Sequence, residues 1–505
     1  MIMRKIFFLI LCVDLLFSTY AQTDNKVIIG TIDSVYSNIL NEQRKIWVYT
    51  PDLTSGNHDP NQRYPVVYLL DGDGHFPSIV GMIQQLSQVN GNTVYPEMIV
   101  VAIPNTDRTR DLTPTHVSSD PPMMDSNFSR TSGGGENFIS FIEKELMPHI
   151  DSLYPTQPYR TLIGHSFGGL TVMNVLTNHT KLFNAYIAID PSMWYDKERF
   201  LKATEEKLKE KKYNGIRLYL GIANTMPPGM TLDKMKKDTT SDTRHIRSIF
   251  ALDNFIKANP QNGLKYASKY YSDDNHGSVP LVTEYDGFRF IFNYYRLNLT
   301  GKDFTDSTAT IVTRFKQHYD TVSKEMSYKA SPPESMINFL GYDAMNHKYY
   351  VKAAALFEMN VTNYPQSGNA YDSYGDLFAA KKDTVNAITW YKKALDIKEN
   401  EDTRRKLNAM EGKEVFTLTE KELQKYAGEF DLEGVSQTIT LSVKDNALWA
   451  NVPGEGEFEL VAVGPGTFTI KNMSGYKVQF EMSEDKVVGF TSFQPNGTFK
   501  AHLKQ

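Results

Sequence analysis

The sequence predicts an α/β domain, a mostly parallel sheet covered by helices on both faces. An α-helical repeat pair and a small antiparallel β-domain follow it. Three observations carry this prediction. Between residues 27 and 300, short apolar runs alternate with amphipathic stretches of helix length. Between 333 and 412 a spacing of 34 residues recurs. From 417 to 505, short strand-like segments are separated by turn-forming pairs. A chain of 505 residues exceeds what one hydrophobic core usually holds, so several domains are expected.

The chain opens on a leader. Residues 1–21 carry Arg4 and Lys5, then an apolar stretch from Ile6 to Phe17 that is too short to span a bilayer, then the small residues Thr19 and Ala21. This is the pattern of a signal peptide, and it predicts export to the periplasm or the extracellular space. Cys12, the only cysteine, lies inside it, so the exported chain can form neither a disulfide nor a thiolate metal site. No later run is apolar and long enough to be transmembrane. The net charge of −5 and the lack of a basic cluster argue against nucleic acid as a partner.

In the first domain, the strand candidates are Arg44–Tyr49, Pro65–Leu70, Met98–Ile103, Arg160–Gly164, Ala185–Ile189, Ile216–Ile222 and Leu264–Tyr271. No helix fits between the first two, which predicts an antiparallel edge. Glu136–Leu153 and His245–Lys257 repeat apolar residues at three- and four-residue intervals, as helices do.

The motif with chemical content is Gly164-His165-Ser166-Phe167-Gly168-Gly169. It has the form G-x-S-x-G, between a predicted strand and a predicted helix. That context makes a turn tight enough to strain the serine backbone and lift its hydroxyl above the sheet. Ser166 is therefore the candidate nucleophile. Such a serine needs a base, and His276 follows the last strand in Asp273-Asp274-Asn275-His276-Gly277, a loop from which an imidazole can reach the elbow. The acid is expected just after Ile216–Ile222, yet Ala223-Asn224-Thr225 holds no carboxylate. Asp238 is assigned. Asp233, an amide from Asn224, or a Ser-His pair with no fixed acid are the alternatives. The backbone N–H groups of Phe167, after the nucleophile, and of Asp73, in the glycine-rich turn after the third strand, are the candidate oxyanion donors.

Residues 301–332 read as a linker. In 333–412, Gly341, Ala353 and Phe357 stand 34 residues before Gly375, Ala387 and Tyr391. This resembles the tetratricopeptide repeat, although Glu399 stands where that pattern has proline. Two such repeats need a neighbour to dock on, and they are a candidate surface for a protein partner. Residues 417–505 read as a small β-barrel or sandwich.

Five motifs in order extend the reading of the first domain. Tyr68-Leu69-Leu70-Asp71-Gly72, the loop Arg108 to Pro114, Gly164–Gly169, Asp190-Pro191-Ser192-Met193-Trp194 and Asn275-His276-Gly277 together resemble the putative-esterase family of α/β-hydrolases. That family includes esterase D-type, feruloyl and siderophore esterases. The resemblance covers residues 27–300. It implies an α/β-hydrolase sheet and a serine carboxylic-ester hydrolase working through an acyl-enzyme, with no metal and no cofactor. Its substrate would be a small-molecule or glycan-linked ester, such as a siderophore or carbohydrate ester. Arg108, Arg110 and Trp194 become candidate substrate-binding residues. A protease or acyltransferase on the same residues, or an inactive hydrolase fold acting as a scaffold through the helical repeats, are the competing readings.

Overall fold

The computed structural model describes residues 27–51, 62–87, 89, 92–413, 416–435, 437–471, 473–484, 486–494 and 497–504. The leader at 1–21, with Cys12, lies outside the described residues. The first domain is built on eight strands: β1 (Thr31–Ser37), β2 (Glu42–Tyr49), β3 (Tyr64–Leu70), β4 (Ile99–Ile103), β5 (Thr156–His165), β6 (Ala185–Ile189), β7 (Arg217–Ala223) and β8 (Lys265–Tyr271). Their order in the sheet is β1-β2-β4-β3-β5-β6-β7-β8. β2 pairs antiparallel with both β1 and β4, and every other pairing is parallel. The antiparallel edge matches the expectation. β1 is an addition to it. Its Thr-Ile-Asp-Ser-Val-Tyr-Ser run is largely exposed, so it lacks the apolar signal of the inner strands.

Buried parallel strands are apolar on both faces. In β3, Val66, Tyr68 and Leu70 enter one core while Val67 and Leu69 enter the other. Helices α1 (Gly72–Ser87) and α5 (Val279–Ile291) cover the second face with Phe76, Ile79, Ile83 and Phe288. The helix running through 135–153, α2 (Phe167–Asn178), α3 (Arg199–Glu210) and α4 (Arg244–Ala258) cover the first with Phe138, Leu170, Leu201 and Ile249. β8 ends the sheet. Lys265 and Lys269 project from it to Glu325 and Asp286 at 2.6 and 2.7 Å, and charge on an edge strand discourages further pairing.

The segment 301–332 is not a linker, contrary to the sequence reading. Thr310–Met326 forms helix α6. Val322 and Met326 at its C-terminal end pack in the sheet's second core, while Ile311 and Phe315 at its other end pack among the repeat helices. Glu325 accepts from Arg217 at 3.0 Å as well as from Lys265. One helix thus belongs to two cores, and its sparse apolar spacing hid this in the sequence.

Beyond it stand α7 (Glu334–Asn346), α8 (Tyr350–Asn363), α9 (Gly368–Ala380), α10 (Thr384–Ile397) and α11 (Glu401–Met410). A Cβ on Gly341 would fall 2.5 Å from the ring of Phe357, and one on Gly375 would fall 2.6 Å from the ring of Tyr391. The 34-residue spacing is therefore a steric one: each hairpin closes only where a glycine faces an aromatic ring. The chain ends in a closed barrel of β9 (Gly428–Leu432), β10 (Thr438–Lys444), β11 (Ala447–Val452), β12 (Gly456–Gly464), β13 (Thr467–Ile470), β14 (Met473–Ser483), β15 (Lys486–Gln494) and β16 (Gly497–Leu503), with β16 paired to β9.

The bridging role of α6 has a measurable consequence. A chain ending at Thr300 loses Val322 and Met326 and exposes the apolar surface they cover, a loss of roughly 3–6 kcal/mol at ~1.5–3 kcal/mol per buried side chain. A chain ending at Ala330 keeps both. Both chains uncover apolar surface that the repeat helices cover, Ile311 and Phe315 in the longer one, but only the shorter one opens the sheet's second core, so it should melt at the lower temperature. Equal melting temperatures would contradict the bridge.

Candidate active site

Ser166 joins β5 to α2 with φ 59° and ψ −113°, a strained combination for a residue with a side chain. Local packing enforces it. A Cβ on Gly164 would lie 2.4 Å from the carbonyl carbon of Gly168, and one on Gly169 would lie 2.9 Å from Cα of Pro191, so the turn closes only with glycine at both places. The Ser166 N–H donates to Ile189 O at 2.9 Å, and the Ser192 N–H donates to Ser166 O at 3.1 Å. These bonds tie the elbow to the end of β6. Ser166 Oγ lies 3.3 Å from Ser192 Oγ. Phe167 is the first residue of α2, where a backbone N–H has no intrahelical acceptor and the helix dipole is positive.

His276 follows β8 as expected. The Asn275 side chain accepts from the N–H groups of Gly277 and Ser278 at 2.9 and 3.1 Å and shapes the loop. The acid beside it is not Asp238. His276 Nδ1 stands 2.6 Å from Oδ2 of Asp190, at the end of β6. Asp190 is fully buried. The same Oδ2 takes a second hydrogen bond, from His245 Nε2 on α4 at 2.8 Å, and Oδ1 accepts the Ala223 N–H from the end of β7 at 2.9 Å. A carboxylate only accepts, so His276 donates from Nδ1, which leaves the Nε2 lone pair for a base. Burial pushes the Asp190 pKa up, but the hydrogen bonds from His245 and His276 outweigh it and hold the carboxyl well below the usual aspartate range.

Asp238 instead accepts from Thr240 and Thr243, which hold its pKa down to about 2; it shapes the chain that leads into α4. Asp233 is exposed and faces Lys236 at 3.9 Å. The Asn224 side chain donates to Ser272 O at 2.9 Å, and the Asn224 N–H donates to Asp274 O at 2.8 Å. Asn224 therefore holds the His276 loop against β7 and does not orient the imidazole directly.

Other expected residues fall into supporting places. Asp73 sits exposed in the first turn of α1. The turn before it reaches the elbow, since a Cβ on Gly168 would lie 2.9 Å from Asp71 Oδ2. Arg108 clamps that turn. It donates to Asp71 through Nε at 2.6 Å and Nη2 at 3.0 Å, and to His165 O at 3.2 Å, with its guanidinium 5.5 Å from the Phe167 ring centroid. Arg110 does not point to a substrate surface: its donors go to both oxygens of Glu42, at 3.0 and 2.7 Å, and to Asp111 at 2.7 Å. Trp194 is buried, with its ring 5.9 Å from that of Phe167, and so braces the elbow from below. Phe128, 48% exposed, stacks on Phe167 at 5.9 Å and adds an aromatic shelf that the sequence did not reveal.

Four residues were missed. His165, inside the elbow motif, has its ring 4.4 Å from that of His276. Burial, reinforced by the charges of His276 and His75, drives its pKa down to about 3, so it is a neutral wall at any working pH. His75 lies 5.9 Å beyond it, next to buried Glu284 at 3.1 Å. Burial lowers the His75 pKa, but Glu284 more than offsets this and raises it. His245 looked like an ordinary helix position. Asp190 lies in a motif already singled out, and its place after the strand that follows the nucleophile strand was the available signal. Among the described residues, Asp190, His245 and His276 are the one group whose ligand atoms cluster closely enough for a metal ion. An ion there would displace both N–H···O bonds.

Comparison with known proteins follows this geometry. Residues 37–252 match the Putative esterase family. A ferri-bacillibactin esterase of Bacillus subtilis is 36% identical over 168 residues, which is 31% of this chain and 57% of the relative. An apo-salmochelin esterase of Escherichia coli is 29% identical over 158 residues, which is 30% of this chain and 46% of the relative. The chain thus spans about half the length of these two curated relatives. Among solved structures, an IroE-like serine hydrolase of Shewanella oneidensis superposes with TM-score 0.56 and 29% identity, covering 66% of this chain and 98% of the other.

The Asp190 arrangement predicts a pH-dependent stability. A carboxyl whose folded pKa is depressed stabilises the fold above its unfolded value, about 4, and loses that contribution as pH falls through the folded value. Near neutral pH, Asp190→Asn should cost about 2 kcal/mol, the worth of a charge-assisted hydrogen bond. The gap in melting temperature between variant and parent should narrow on acidification below about pH 4. A gap that stays constant with pH would mean that the carboxylate is not held ionised by its two histidines.

Proposed function

We propose, from the match of residues 37–252 to the Putative esterase family, that the chain is an exported serine ester hydrolase acting on siderophore-type esters. The observations that carry this are a strained, glycine-flanked Ser166 and, on the loop after β8, an imidazole whose tautomer is set by a buried carboxylate. His276 Nε2 takes the Ser166 proton as Oγ attacks the ester carbonyl, and the C–O bond to the alcohol breaks as His276 returns the proton to it. Water, deprotonated by the same nitrogen, then releases the acid and frees Oγ. The Phe167 and Asp73 N–H groups are the proposed oxyanion donors, and Asp190 replaces Asp238 as the proposed acid. Each imidazolium formed during turnover is stabilised by Asp190 without proton transfer to it.

The siderophore assignment rests on the names of the relatives and on the half-exposed ring of Phe128, which stacks on the buried Phe167 next to Ser166. This surface suits an aromatic acyl group. Export rests on the leader pattern at 1–21. No described helix is long and apolar enough to cross a membrane. The helical hairpins are proposed to be tetratricopeptide-like on their 34-residue register.

Kinetics on a siderophore ester and on a chromogenic acetyl ester test this reading. Ser166→Ala and His276→Ala should each lower kcat by at least about 10³-fold with circular dichroism unchanged. Asp190→Asn should cost roughly 10²–10⁴-fold, and Asp238→Asn less than about threefold, as for a surface change. Turnover by Ser166→Ala at the parent rate would reject the nucleophile. A larger loss from Asp238→Asn than from Asp190→Asn would reject the acid.

A further inference from the structure

The C-terminal barrel contains a space unrelated to Ser166. Eight strands enclose an interior that side chains can fill or that can hold one small ligand. Here the two halves differ. One half is plugged by Tyr426, Phe430, Phe468, Phe480 and Phe490, whose rings meet at centroid distances of 4.8 to 5.6 Å. The other half holds a cavity of about 460 Å³ whose wall includes Ile439, Leu441, Ala450, Leu460 and Val478. Successive residues of a strand point to opposite faces. Leu441, Ala450, Leu460 and Val478 are all buried, so this is the inner face of the barrel. Across this wall the short side chains of Leu441, Ala450, Leu460 and Val478 leave a space that Phe458 and Tyr476, also in the lining, do not fill.

The mouth adds a second observation. Val435 and Phe499 line it while 58% and 39% exposed, an apolar lip open to water. The charged residues lining the cavity are two carboxylates, Glu433 and Glu455, and its described lining holds no lysine or arginine. Gln437 ties the rim together by donating to Pro453 O at 2.9 Å. An anion at this mouth would meet like charge. The volume falls within the range of small-molecule sites, roughly 300–1,000 Å³.

We propose that the barrel binds one apolar molecule bearing a neutral or cationic polar end, with its apolar body inside and its polar end at the Glu433–Glu455 rim. This holds independently of the ester chemistry at Ser166.

The test is calorimetric titration of the full chain with 1-dodecanol, dodecylamine and dodecanoate below their aggregation concentrations. Dodecanol and dodecylamine should bind at one molecule per chain, and dodecanoate about tenfold more weakly, the effect of ~1.4 kcal/mol of repulsion. Ala450→Phe, which fills the cavity from its wall, should abolish binding. If that variant is unfolded by circular dichroism, Glu433→Gln combined with Glu455→Gln serves instead and should raise dodecanoate affinity to that of the alcohol. Three results would overturn the proposal: no saturable binding of any of the probes, unchanged binding by folded Ala450→Phe, or dodecanoate binding as tightly as the alcohol to the parent chain.

Discussion

A carboxylate with no access to water must find hydrogen-bond donors or give up its charge. Asp190 finds three, and each comes from a different element: the Ala223 N–H at the end of β7, His245 from α4 and His276 from the loop after β8. The elbow is fastened to the same strand end through the Ser166 N–H and the Ser192 N–H. Four parts of the chain, far apart in sequence, are thus registered on the few residues that end β6. Asp190 holds a left-handed φ of 41°, a conformation that aspartate tolerates better than most residues, and this turns its carboxylate along the strand ends.

The histidines around this carboxylate work in different states. His276 and His245 donate to one oxygen, and their rings stand edge to face at 5.2 Å. His165, on the other side of His276, is held neutral by burial and adds apolar contact without competing charge. The pair His75 and Glu284 closes the row, where a buried carboxyl supports a raised imidazole pKa. Together they place the His276 imidazole between a charged anchor and an uncharged wall.

What could be read in advance follows from range in sequence. The inner strands carry unbroken apolar runs, and the elbow is a local steric device whose glycines are visible side by side. The positions of Ser166 and Phe167 in the elbow were therefore legible in the sequence, as was that of His276 in the loop after the last strand. Asp190 stands inside a quoted motif but carries no assignment there, because an aspartate before a proline at a strand end reads as an ordinary turn. Its role depends on β6 lying beside β7 and on a helix 55 residues later returning His245 to it. Arg110 was misread for the same reason: its partner Glu42 is 68 residues away. The helix α6 escaped notice because its apolar residues are divided between two cores and form no single stripe.

Asp190 fixes His276 with its proton on Nδ1 and leaves Nε2 bare. Nitrogen-15 NMR of the histidine side chains in the full chain near neutral pH reads this directly. The account predicts that neutral His276 is present as the Nδ1–H tautomer and that this preference is lost in Asp190→Asn. A His276 protonated on Nε2 in the parent chain, or a tautomer unchanged by the substitution, would contradict it.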